Sequence, residues 1–173
     1  MKNPVIKTIK CNYYTFDAID FIKNNLNGEI CHTTSEKNFK GIFKDKIIHP
    51  SDIRFGSKMF HYNSVGYNEN CVCLCDFRNL NKNEDFLKTI SECMTFNYIL
   101  LLKNSEFKNI LLPKSEDEIR YNLDKGYGVP LYECWYKGDL LLNKIKKILH
   151  IDFYNKNIAD ENIVNEVMNY LDY

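Results

Sequence analysis

GEICHTTSEKNFKGIFKDKIIHP, residues 28–50, is the stretch whose reading decides the fold. Ile30 and Cys31 form a short apolar run that ends in His32, Thr33 and Thr34. Ser35 then opens a segment in which Phe39, Ile42 and Phe43 recur at helical spacing. A buried strand therefore passes directly into an amphipathic helix, with Ser35 as the residue whose hydroxyl caps the first turn. The junction carries one imidazole and two hydroxyls.

Working outward, FDAIDFIKNNLNG (16–28) places Phe16, Ile19, Ile22 and Leu26 on one helical face and stops at Gly28. On the other side, residues 47–70 show no periodicity and are rich in Pro, Gly, Asn and Ser, so a long, partly ordered loop is expected there. CVCLCDF (71–77) reads as a central strand, NEDFLKTISECM (83–94) as a helix and FNYILLLKN (96–104) as a second buried strand, with a short NILLP run after it. SEDEIRYNLDKG (115–126) carries the capping-box pair Ser115 and Glu118 and reads as a polar helix. GVPLYECWYKGDL (128–140) and KIKKILHIDFY (144–154) add strands before a helix over 159–173. Strands interleaved irregularly with helices define an α+β protein with a mixed or mostly antiparallel sheet. At 173 residues the whole chain, 1–173, fits one domain large enough to bury its own core.

Composition narrows the function classes. Hydrophobic residues make up 45% of the chain and aromatics 14%, the balance of a packed protein rather than a disordered one. Lys plus Arg and Asp plus Glu each total 23, which removes the broad positive field of a general nucleic-acid binder but leaves room for a local patch, for which KGDLLLNKIKK (137–147) is the candidate. No run approaches the roughly 20 apolar residues of a membrane span, and MKNPVIKTIKCNYY lacks a secretory apolar region, so a cytoplasmic protein without membrane attachment is expected. Seven cysteines without a CxxC pair point to reduced thiols. Cys71, Cys73 and Cys75 share one strand face and raise a zinc reading with His49 or His61. Structural zinc usually draws close cysteine pairs from turns, so small core side chains account for these better and no metal is assigned.

Three pieces now stand in order: the strand-end CHTTS followed by NFKGIF, the middle strand CVCLCDF, and the late strand VPLYECWYKGDL with its single carboxylate, Glu133. In this order they resemble the ADP-ribosyltransferase fold, in particular its His-first branch of diphtheria-toxin-like enzymes, poly-ADP-ribose polymerases and RNA 2′-phosphotransferases. The resemblance implies a split sheet with flanking helices that clasps NAD⁺. His32 would hydrogen-bond a ribose, Thr33 would offer backbone groups to the nicotinamide amide beside Thr34, and Glu133 would be the catalytic carboxylate. The middle strand departs from the pattern: many members carry Ser or Tyr there, whereas this strand offers Cys73, Cys75 and Asp76. The expected partner is a macromolecular acceptor, protein or nucleic acid, in a bacterial or phage effector or toxin with a neutralising antitoxin.

The residues support the chemistry on their own terms. Cleaving the nicotinamide glycosidic bond passes through an oxocarbenium-like sugar, which a carboxylate stabilises. A neutral imidazole orients the ribose, Tyr62 or Tyr67 offers a face to nicotinamide, and Arg54 suits the pyrophosphate. Each residue also has a plainer role. A His at a strand end is more often a structural hydrogen-bonder, and Glu133 could face water from an edge strand. Two rivals therefore stand beside the transferase: a degenerate or unrelated α+β module that binds a nucleotide or protein without chemistry, and a metal-dependent hydrolase built on Cys and His.

Overall fold

In a computed structural model of the chain, the described residues are 3–50, 70–80, 84–103, 105, 110–111 and 133–156. The helices expected over 115–126 and 159–173, and most of the 47–70 segment, lie outside them.

Among the described residues, nine strands and three α-helices run in the order β1 (Val5–Asn12), α1 (Ala18–Asn25), β2 (Ile30–Thr34), α2 (Glu36–Asp45), β3 (Ile47–Ile48), β4 (Cys71–Asp76), α3 (Glu84–Cys93), β5 (Tyr98–Leu102), β6 (Ile110–Leu111), β7 (Glu133–Lys137), β8 (Leu140–Leu141) and β9 (Ile145–Tyr154). Seven strands form one sheet in the order β1-β9-β5-β2-β4-β7-β6, and β3 pairs with β8 in a second, two-stranded sheet. β1 runs parallel to β9, and the other pairings are antiparallel. The α+β class and the mixed, mostly antiparallel sheet read from the sequence are those observed.

The caps follow the local chemistry. Asp17 accepts the Asp20 N–H at 2.9 Å at the start of α1, and Ser35 Oγ accepts the Asn38 N–H at 3.3 Å at the start of α2. Gly28 has φ +81°, a left-handed geometry that turns the chain from α1 into β2. Lys46 ends α2 in the same region, at φ 61°, and its ammonium lies 3.9 Å from the Phe43 ring centroid.

Alternation along the strands produces two cores, one on each face of the large sheet. On one face Phe21, Ile22 and Leu26 from the α1 segment and Leu87 and Ile90 from α3 pack on Cys31, Ile99, Leu101 and Leu149. On the other, Phe39 of α2 and the second sheet's Ile48 and Leu140 cover Ile30, Val72, Leu74, Leu100 and Ile148. The helix that follows the CHTT strand thus presses its apolar stripe onto the sheet beside that strand, and Phe39 stacks on Tyr98 with ring centroids 3.9 Å apart. Burying a side chain of this size contributes about 1.5–3 kcal/mol.

β1 and the two-residue β3 are strands for which the sequence carries no signal. The first four residues of β1 are exposed and only Ile9, Cys11 and Asn12 are partly covered, so VIKTIKCN lacks the apolar run that marked the central strands.

Candidate functional site

The site is built at a fork in the large sheet. β2 and β4 are joined where Gly28 N–H donates to the Phe77 carbonyl (2.9 Å) and Phe77 N–H to the Glu29 carbonyl (2.8 Å). Their register continues through Ile30↔Asp76 and Cys31↔Cys75 and goes no further. β2 follows β5 from Cys31 to Thr34, whereas β4 follows β7 from Cys71 to Cys75. Two halves of the sheet, β1-β9-β5-β2 and β4-β7-β6, therefore part beyond Cys31.

His32 is the first residue past the last β2–β4 pair. Its Nδ1 lies 3.0 Å from the Cys73 carbonyl oxygen. A carbonyl oxygen only accepts, so Nδ1 carries the hydrogen and Nε2 the lone pair. Burial pushes the imidazole pKa below its ordinary value, and the smaller opposing pull of the Cys73 hydrogen bond does not reverse it. The ring is thus neutral at physiological pH and presents an acceptor. It also satisfies a strand carbonyl at the point where the ladder between β2 and β4 stops.

Glu133 is the first residue of β7 and stands opposite Cys75, which stands opposite Cys31. The two residues expected to act together therefore lie on β2 and β7, separated by β4 alone, at the joined end of the fork. In register Glu133 belongs to the cross-strand row of Cys31 and Cys75, one position out of step with His32. Thr33, opposite Ile99, is partly covered, and Thr34, opposite Tyr98, is buried. Arg54, Tyr62, Tyr67 and His61 lie outside the described residues.

Asp76, at the end of β4, is tied to the turn that follows it. Its carboxylate takes Arg78 in a forked pair, Oδ1 accepting from Nε at 2.8 Å and Oδ2 from NH2 at 2.5 Å, while Oδ1 also accepts the Arg78 backbone N–H at 3.1 Å. The pair closes the turn after β4 and holds the Arg78 guanidinium above its ordinary pKa. A carboxylate engaged at both oxygens by a residue two places away acts as a local clamp on the turn. The spacing of Asp76 and Arg78 was a readable signal for it.

Among the cysteines, Cys71 is buried against Trp135, and Cys73 is partly covered beside them. The described residues contain no group of three or more His, Cys, Asp and Glu side chains that could hold a metal. His49 Nδ1 is 2.9 Å from Asp139 Oδ1, an exposed pair beside the β3–β8 sheet. A groove of about 420 Å³ is lined by Tyr14, Phe16, Asp17, Lys88 and Glu92, none of them a residue of the fork. No helix among the described residues is long and apolar enough to cross a membrane.

Compared with protein-family models, with curated proteins and with solved structures, the chain matches none.

Proposed function

We propose that the chain is an NAD⁺-dependent ADP-ribosyltransferase in which His32 binds the dinucleotide and Glu133 assists loss of nicotinamide. The observation that carries this reading is the fork between β2 and β4, with a neutral His32 at its opening whose Nε2 carries the lone pair. A ribose hydroxyl is a suitable donor to that nitrogen. A carboxylate held beside the same sugar stabilises the cationic character that develops as the glycosidic bond breaks. Nicotinamide leaves with the bonding electron pair, and an acceptor nucleophile takes the sugar carbon as it gives up its proton. The acceptor is a macromolecule, protein or nucleic acid, in keeping with an effector or toxin of bacterial or phage origin that a partner protein neutralises.

The test is release of nicotinamide from NAD⁺ by the full chain, followed for wild type, Glu133→Gln and His32→Ala. Removal of a single electrostatic stabiliser lowers turnover by about 10²-fold or more, so Glu133→Gln is expected to lose that factor with NAD⁺ binding retained. His32→Ala is expected to weaken binding as well. Unchanged turnover in Glu133→Gln removes that residue from the mechanism.

A second reading, a module of this architecture that binds a nucleotide without chemistry, is favoured by one observation: Glu133 is out of step with His32 in the strand register. Calorimetric binding of NAD⁺ with no nicotinamide released selects this reading.

A further inference from the structure

We propose that Cys31 and Cys75, which stand directly opposite each other across β2 and β4, are a redox modification site that closes to a reversible disulfide when a hydroperoxide reaches the protein. Directly opposed residues of an antiparallel pair have Cα atoms about 4.5 or 5.5 Å apart, and both values fall in the window of about 4.4–6.8 Å that a disulfide accepts. Among the described cysteines this is the one directly opposed pair: Cys71 faces Lys137, Cys73 faces Trp135 and Cys134 faces Leu74.

The two members differ in the way a reactive and a resolving thiol differ. Cys75 is partly exposed at the joined end of the fork, whereas Cys31 is fully buried. The neighbouring Cys75 side chain, together with burial, pushes the Cys31 thiol well up and keeps it protonated. The Cys75 sulfur attacks an oxygen of the hydroperoxide, the O–O bond breaks, and with hydrogen peroxide the departing oxygen leaves as water, so Cys75 becomes a sulfenic acid. The Cys31 sulfur then attacks the Cys75 sulfur, and its thiol proton leaves with the displaced hydroxyl as a second water. Two thiols are oxidised to one disulfide, one peroxide is reduced to two waters, and an exogenous dithiol reverses the bond by exchange. The bond ties β2 to β4 at the base of the fork, at the strand position that precedes His32.

The experiment uses the full chain purified in reductant, freed of it and treated with hydrogen peroxide. Of its seven thiols two are expected to disappear, with an intact mass lower by two hydrogen atoms. A non-reduced digest is expected to join the peptide containing Cys31 to that containing Cys75, and dithiothreitol is expected to restore both thiols. Cys75→Ser abolishes the mass loss, Cys31→Ala leaves a Cys75 sulfenic acid that dimedone traps, and Cys11→Ser behaves as wild type. Peroxide treatment that leaves all thiols intact, adds oxygen to Cys75 without a crosslink, or joins a different pair of cysteines overturns the proposal. None of these readouts involves NAD⁺, so the outcome is separate from that of the transferase test.

Discussion

The hydrogen bond from His32 Nδ1 to the Cys73 carbonyl fixes the ring tautomer, and burial of the ring makes stability depend on pH. The folded-state pKa lies below the ordinary imidazole value of about 6.5, so between the two values the unfolded chain binds more protons than the folded one. The contribution is therefore complete above about pH 6.5 and is lost as pH falls through the folded pKa. Thermal unfolding of wild type is expected to drop across this acid range, and His32→Gln, which keeps a donor amide and cannot titrate, is expected to flatten that part of the curve. Scanning calorimetry of the two proteins between about pH 5 and 7.5 checks it. The strand-end imidazole was legible because it ends an apolar run at a hydroxyl-bearing junction. Its partner was not, because a main-chain carbonyl 41 positions away carries no signature in residue type. Glu133 was legible as the one carboxylate in an apolar strand, whereas its register opposite Cys75 depends on strand pairing.

At the level of elements, the segment after His32 was readable nearly residue by residue: Ser35 caps α2, and Phe39, Ile42 and Phe43 form the face that packs on the sheet. Ser35→Ala removes the hydroxyl that accepts the Asn38 N–H and is expected to destabilise the protein by about 1 kcal/mol in urea unfolding. Gly28→Ala tests the turn between α1 and β2. A Cβ there meets nothing within 4 Å, so the cost is purely that of holding a left-handed backbone, about 1–2 kcal/mol. An unchanged midpoint for Gly28→Ala shows that the chain adopts a different turn. β1 was not legible because an edge strand whose first four residues face solvent need not carry an apolar pattern. The short β3 and β8 strands, two residues each, fall below the length at which alternation can be recognised.

For the whole molecule, the class and the mostly antiparallel pairing followed from local patterns, but the strand order β1-β9-β5-β2-β4-β7-β6 did not. Residue patterns show that β2 and β4 are both buried strands, and although the resemblance implies a split sheet, no pattern in either strand marks that they separate after two paired residues. Between them the two cores leave Leu100 fully buried and Val5 71% exposed, which sets a contrast. Leu100→Ala is expected to cost about 2–5 kcal/mol and Val5→Ala less than about 0.5 kcal/mol, measured side by side by chemical denaturation. Equal losses at the two positions contradict the layering. The pairing of β1 with β9 reaches furthest along the chain, joining Thr8 to His150 across 142 positions. A ribosome adding about 5–20 residues per second delivers the second strand roughly 7 to 28 s after the first. For that interval the nascent VIKTIKCN segment has no template to zip onto, so it is a natural target for a chaperone that shields extended chain.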